Sequence, residues 1–229
     1  MSLAADLRTA LSEASGLLLP VSCAGCGDAG VALCDGCRAA IAPAVRVRCI
    51  GEDLDVVAGL VFAGEAAAVL RTFKEGGRTA LARAFAPAMR AALVACARRA
   101  GTLVDAVPVP ASAASSRRRG YRPVELLMHH GGVAPSRELR WARRAADQRA
   151  LGREQRDANM TGSLCARRRL DGRDVIVVDD VVTTGATLRE ARRALSEAGA
   201  HVVGAVALAA TPRVLPPRTR HGESPGNTS

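Results

Sequence analysis

Aromatic side chains are nearly missing from this chain: one Trp, one Tyr and three Phe in 229 residues. That scarcity argues against the stacking platforms on which single-strand binders lay successive bases, and it leaves Ala, Val and Leu to fill the core. Lysine is scarcer still, for Lys74 is the sole lysine among 32 basic residues. No apolar run approaches the roughly 20 residues of a membrane span, so no membrane insertion is expected. A secretory leader is not expected either. Asp6, Arg8 and Glu13 interrupt the N-terminus, and the apolar stretch Gly16 to Leu19 is too short. Cys23 follows Leu-Pro-Val-Ser without the hydrophobic segment that a lipid-anchor cysteine requires. The expected compartment is the cytoplasm. His129, His130, His201 and His221 show no metal or triad spacing, and no Gly-Lys-Ser/Thr follows a glycine loop, which excludes a P-loop.

Hydrophobic residues make up 48% of the chain, enough for one ordinary domain plus something small. The net charge of +10 favours polyanionic partners, either nucleic acid or phosphate-rich ligands, although an arginine excess of this kind also accompanies a GC-rich genome. The chain is organised around Val175-Ile-Val-Val-Asp-Asp-Val-Val-Thr-Thr-Gly-Ala-Thr187. Val175 to Val178 reads as a strand of a parallel sheet covered on both faces. Asp179 and Asp180 follow where the strand is expected to end. Thr183 to Thr187 is a small, hydroxyl-rich loop, and Leu188 to Ala198 a helix stopped by Gly199. A loop entering a helix N-terminus aims N–H groups and the positive dipole end at an anion. Adjacent carboxylates would repel a bare anion, but suit sugar hydroxyls or a nearby magnesium ion. The expected ligand is a ribose phosphate at the carboxyl ends of the strands. An ordinary strand with a polar turn explains neither the acid pair nor the Thr-Thr-Gly loop.

Near the N-terminus, Cys23-Ala-Gly-Cys26 and Cys34-Asp-Gly-Cys37 enclose seven residues. Paired C-x-x-C knuckles read as a tetrahedral zinc site, with an iron–sulfur cluster or two disulfides as the alternatives. Four thiolates leave no open position, so the metal would be structural. Gly25 and Gly36 suit the tight turns. Cys49 stands alone, and Cys96 and Cys165 read as buried thiols.

Around these landmarks the pattern predicts a helix over 5–18, a strand over 56–62, helices over 65–73 and 78–99 with Pro87 inside the second, and a strand over 103–110. Lys74 lies in a glycine-bounded loop, where a substrate contact and a solvated lysine are both consistent. Pro108 and Pro110 stiffen a turn before Ser112 to Tyr121, read as a flexible loop. Its Arg117, Arg118 and Arg119 suit a ligand phosphate, a nucleic-acid backbone or plain solvent. Pro123 starts a helix to His130. Residues 135–170 look like a flap or a solvated helix, 202–210 like another buried strand, and 211–229 like a disordered tail.

Cysteine knuckles, a Val-Pro-Val-Pro turn, an arginine loop and the acid–Thr-Thr-Gly signature, in this order, resemble the ComF family. Those are competence-associated, type I phosphoribosyltransferase-like proteins with an N-terminal zinc finger. The likeness covers about residues 17–210, including Phe73-Lys74, Arg118-Arg119-Gly120-Tyr121, Gln148 with Leu151, Arg156, Asn159 and Gly162. Where the best-known members carry Gly-Phe-Asn-Gln, this chain has Gly120-Tyr121-Arg122-Pro123, so contacts made by those amides have no counterpart here.

The resemblance implies an α/β fold with a mainly parallel sheet flanked by helices and a small N-terminal zinc-binding knuckle. It implies a helix and zinc finger over 1–50, a phosphoribosyltransferase-like domain over 51–210 and a tail over 211–229. Magnesium would enter with phosphoribosyl pyrophosphate (PRPP). Asp179 and Asp180 would hold the ribose hydroxyls as the catalytic pair, and Val182, Thr183, Thr184, Gly185, Ala186 and Thr187 the 5′-phosphate. Pro110 with Arg117, Arg118 and Arg119 would face pyrophosphate. Two function classes follow: a phosphoribosyltransferase acting on a nitrogenous acceptor, or a non-catalytic DNA-uptake accessory that binds single-stranded DNA or a DNA-processing partner.

Overall fold

The computed structural model describes residues 21–51, 53–142 and 160–212. The helix expected over 5–18, the positions Gln148, Leu151, Arg156 and Asn159, and the tail beyond 212 lie outside the described residues. Seven strands occur among the described residues: β1 (Arg46–Ile50), β2 (Leu54–Val61), β3 (Asp105–Pro108), β4 (Leu139–Trp141), β5 (Leu164–Ala166), β6 (Asp174–Val182) and β7 (His201–Ala210). Six helices accompany them: α1 (Asp35–Ala40), α2 (Gly64–Glu75), α3 (Leu81–Ala100), α4 (Ala113–Arg119), α5 (Pro123–His130) and α6 (Ala186–Glu197). The central sheet runs β1-β2-β7-β6-β3. Every pairing in it is parallel except that of β1 with β2.

Alternation along β6 explains its continuous apolar run. Ile176 and Val178 face the layer made by α2, α3 and α5, together with Val57, Leu60, Val206 and Leu208. Val175 and Val177 face α6 and the β4–β5 hairpin, together with Val56, Ala58, Ala205 and Ala207. Both faces are covered, so neither tolerates a polar residue. Leu, Ile, Val and Ala build both layers, while all three Phe lie on the α2–α3–α5 side, where the Phe73 and Phe85 rings meet edge-on at 6.0 Å.

The expected end of β6 needs correction. The strand continues through Asp179 and Asp180 to Val182, because β7 offers a partner as far as Ala210. Its other neighbour stops sooner: β3 ends with Pro108 opposite Val178, and the Val109 N–H gives Val178 O the last bond at 2.8 Å. From Asp179 onward β6 is therefore paired on one side by its sheet neighbours.

Two further corrections concern irregular stretches. Ser112 to Arg119 is not a flexible loop but the helix α4, whose N-cap Ser112 Oγ accepts from the Ser115 N–H at 3.2 Å. Within 135–170, the described residues at the two ends are not helical: β4 and β5 pair antiparallel, while 143–159 lie outside the described residues. Buried Glu190 of α6 fixes that hairpin, accepting from the Leu164 N–H at 2.9 Å and from Arg193. Glu138, also buried, takes Arg168 and Arg173 at the hairpin's base.

Candidate active site and metal centre

Because successive strand residues point to opposite faces, Asp179 and Asp180 divide the two sides of the sheet between them. Asp180 continues the Ile176–Val178 face and meets Lys74, the last basic residue of α2, at 2.8 Å. Lys74 is thus half-buried and ion-paired rather than solvated. Asp179 continues the other face and lines a concave cradle of about 40 Å³ with Val181 to Leu188. Burial and the neighbouring Asp180 charge push the Asp179 carboxyl up to about 7, against the opposing pull of the Asp180 N–H and Lys74. The Asp180 N–H donates to Asp179 Oδ1 at 2.8 Å.

The loop beyond is held at its carbonyls. Arg48 Nη2 donates to Thr183 O at 2.6 Å, and Arg189 Nη1 to Thr184 O at 3.2 Å. Thr184 Oγ1 accepts from the Ala186 N–H at 3.3 Å. Gly185 then starts α6 at φ +81°, a left-handed conformation that an L side chain resists. A Cβ there would also overlap the Ile50 side chain, so glycine is required twice over. Helix geometry leaves the first N–H groups of α6 without intrahelical acceptors, directed at the cradle. Small backbone, hydroxyls, N–H donors and a positive helix end together fit a phosphate monoester. Hard carboxylate oxygens beside it fit sugar hydroxyls or a magnesium ion.

The other expected contacts are dispersed. Arg117 and Arg118 are exposed on α4, while Arg119 is half-buried with its Nε enclosed and lacking a hydrogen-bond partner among the described groups. Consecutive helical residues turn about 100° apart, so the three side chains leave α4 in different directions. Pro110 belongs to a neighbouring cavity with Trp141, whose Nε1–H donates to Pro110 O at 2.9 Å. Sequence reasoning left Lys74 undecided and missed Arg48 and Tyr121. The Tyr121 hydroxyl donates to the Phe73 carbonyl, one residue before Lys74. No sequence signal marks Arg48, whose partner lies 135 residues away.

The sulfurs of Cys23, Cys26, Cys34 and Cys37 all lie within 4.8 Å of one another. Zinc–sulfur bonds of about 2.3 Å in a tetrahedron put sulfurs roughly 3.8 Å apart, and Cys26 Sγ and Cys34 Sγ are separated by 3.6 Å. The Cys34, Cys26 and Gly25 N–H groups bring the Cys23 thiol down to about 5. Burial and neighbouring sulfurs push Cys37 up, and Cys26, despite the opposing Asp28 N–H, is pushed up by contacts with the Asp28 side chain and Cys23, so the fit to a metal rests on the sulfur geometry. The donor set therefore fits zinc. Gly25 is obligatory because a Cβ there would overlap Cys37 Sγ, whereas Gly36 has open space around it. Thr72 Oγ1 donates to Ala24 O at 2.9 Å, and Arg78 donates to Ser22 O and Ala32 O, both at 2.8 Å. Among the remaining cysteines, Cys96 is buried as expected, Cys165 is half-buried and Cys49 exposed.

No helix among the described residues is long and apolar enough to cross a membrane. Residues 131–221 match the family model described as the phosphoribosyl transferase domain. The matched span holds β6, the acid pair, the Thr-Thr-Gly loop, α6 and β7. An adenine phosphoribosyltransferase of Mycolicibacterium gilvum (strain PYR-GCK) is 54% identical over 39 residues, which is 17% of this chain and 22% of that protein. The chain thus spans about a fifth of the length of the curated relative it matches.

Proposed function

We propose that this chain binds PRPP with magnesium and transfers its phosphoribosyl group to a nitrogenous acceptor, releasing pyrophosphate. The reading rests on Asp179 lining the Thr183–Thr187 cradle and on Asp180 beside it on the opposite face, at the end of β6 that outruns β3 and leaves one edge open to a sugar. In it, the cradle N–H groups and threonine hydroxyls bind the 5′-phosphate, and the two carboxylates accept the ribose 2′- and 3′-hydroxyls. The sugar is then fixed at both ends, with C1 free to react. The C1–O bond to pyrophosphate breaks with its electron pair, the acceptor nitrogen forms a bond to C1, and the displaced N–H proton passes to solvent. Positive charge accumulates on the ribose in between, and carboxylates beneath it are favourable. Magnesium, entering with the ligand, supplies charge neutralisation on pyrophosphate. Lys74 supplies positive charge on the opposite face of the strand. Within phosphoribosyltransferase-like proteins the assignment we favour is the ComF family, acting in the cytoplasm, with zinc as a structural ion.

The test is calorimetric titration of zinc-loaded protein with PRPP and magnesium, beside an Asp179→Asn/Asp180→Asn double variant. Saturable heat in the wild type that disappears in the variant is expected. No heat and no thermal shift in the wild type would sink the reading. The +10 charge and exposed Arg117 and Arg118 favour a second reading, a DNA-uptake accessory holding single-stranded DNA or a DNA-processing partner. It requires oligonucleotide binding that weakens steeply with salt; absence of binding at low salt excludes the DNA form of it.

A further inference from the structure

A second cavity lies beside the acid pair, between the end of β3, α4, α5 and the β4–β5 hairpin, with a volume of about 240 Å³. Its Pro108 wall is one inter-strand step, about 5 Å, from the strand that carries the acid pair, because Pro108 pairs with Val178, the residue before Asp179. The floor is apolar and stiff: Pro108, Pro110 and Leu139, with the Trp141 ring anchored through its Nε1–H to Pro110 O at 2.9 Å. The rim is arginine. Arg122 and Arg137 share one carboxylate, Glu125, at 2.8 and 2.6 Å. Burial opposes ionisation of Glu125, yet hydrogen bonds from Arg137 and Arg122 hold its carboxyl below the usual range, so it stays an anion. Arg140 and Arg167 also line the cavity and have no carboxylate partner among the described residues; Arg167 Nε instead donates to Leu139 O at 3.3 Å. Among the described residues, the lining holds four arginines and one carboxylate.

We infer that this cavity is the acceptor subsite, and that it selects a single-ring heteroaromatic acceptor carrying a carboxylate. The inference rests on the phosphoribosyl-transfer reading above. A floor of indole and prolines suits a planar ring, and the arginine rim suits a planar anion, which arginine grips with two parallel bonds. The volume falls below the roughly 300–1,000 Å³ of sites for drug-sized ligands, so it favours one ring over a nucleotide. A neutral purine would leave Arg140 and Arg167 without an anion.

Trp141 is the chain's only tryptophan, so its fluorescence reports this cavity directly and without turnover. The experiment titrates zinc-loaded full-length protein, with and without PRPP and magnesium, using orotate, nicotinate and quinolinate as carboxylate probes. Adenine and uracil are the neutral probes, and inorganic phosphate and an oligothymidylate the phosphate controls. At least one carboxylate is expected to change the fluorescence saturably and to bind more tightly than either neutral ring. Arg140 is exposed on β4, so Arg140→Gln should fold normally. It should weaken that carboxylate about 10- to 100-fold, the loss of a charge-assisted contact. The neutral rings and the heat of PRPP binding should be unchanged, and Arg140→Lys should recover part of the affinity. Three results overturn the inference: no saturable response to any carboxylate, neutral rings binding as tightly, or an Arg140→Gln variant that binds as wild type. A response to phosphate and oligothymidylate alone also overturns it, in favour of a polyanion surface. Carboxylate binding with no PRPP binding would defeat the transferase reading and leave the anion subsite standing. PRPP binding with no carboxylate response would do the reverse.

Discussion

Replacing Asp179 by Asn should stabilise the ligand-free protein, and more so as pH rises. The side chain is held at about 7 in the folded protein, against about 3.8 for an ordinary aspartate. The native state therefore keeps a proton that the unfolded chain releases, and wild-type stability falls as pH climbs through this window. Integrated from about pH 5 to about pH 8, that proton difference removes about 2.5 kcal/mol. This is a ceiling, because Asp179 keeps some surface in contact with water, which screens its charge. Asn retains the Oδ1 that accepts from the Asp180 N–H at 2.8 Å, so the local geometry should survive. The assay is urea unfolding of both proteins, zinc-loaded and without PRPP, at both pH values. Histidines and the metal site are common to the two and cancel in the difference. The variant should gain on the wild type by about 1–2.5 kcal/mol across the interval. A gap that stays flat with pH refutes the account of a carboxyl lifted by burial and by its neighbour. The same variant should bind PRPP worse, a trade of stability against function.

Gly185→Ala should destabilise by about 1–3 kcal/mol through left-handed backbone strain and overlap with Ile50. Ile50→Ala relieves the overlap but opens its own cavity, so in a double-mutant cycle by urea unfolding the pair should lose less than the sum of the two single variants. Lys74→Met leaves the Asp180 carboxylate without its cation in a partly buried setting. A lower melting temperature is expected, with partial rescue by Lys74→Arg, measured by differential scanning calorimetry. Elemental analysis should find one zinc per chain, and a chelator should lower the melting temperature. Cys37→Ser should reproduce the chelator's effect in metal-replete buffer.

Much of the fold is written locally. The apolar run Val175 to Val178, the glycine after the threonine pair and Pro123 each declare an element from their own chemistry. So do the two C-x-x-C pairs, whose four sulfurs the fold gathers into one cluster. What escaped local reading depends on partners far along the chain. The prolongation of β6 past Val178 comes from β7, which supplies ladder partners out to Ala210. The Lys74–Asp180 pair joins residues brought together by packing of α2 over the sheet. Ser112 to Arg119 reads as a flexible loop from sequence, because serine and arginine carry no apolar period. The Ser112 cap and the glycine at 120 turn them into a short helix instead.

The cysteine module is not a pendant. Cys23, Ala24, Cys37 and Ile41 are counted in the same apolar layer as Val69, Leu70 and Phe73 of α2. β1, which follows directly, forms the edge of the main sheet and brings Ile50 beneath Gly185 and Arg48 to the Thr183 carbonyl. A chain trimmed to begin after Ile50 would thus lose an edge strand, the lid over Phe73 and one anchor of the phosphate cradle in a single cut. The domain gains its edge strand and its cysteine cluster from the same stretch of sequence, so neither can be inherited or discarded without the other.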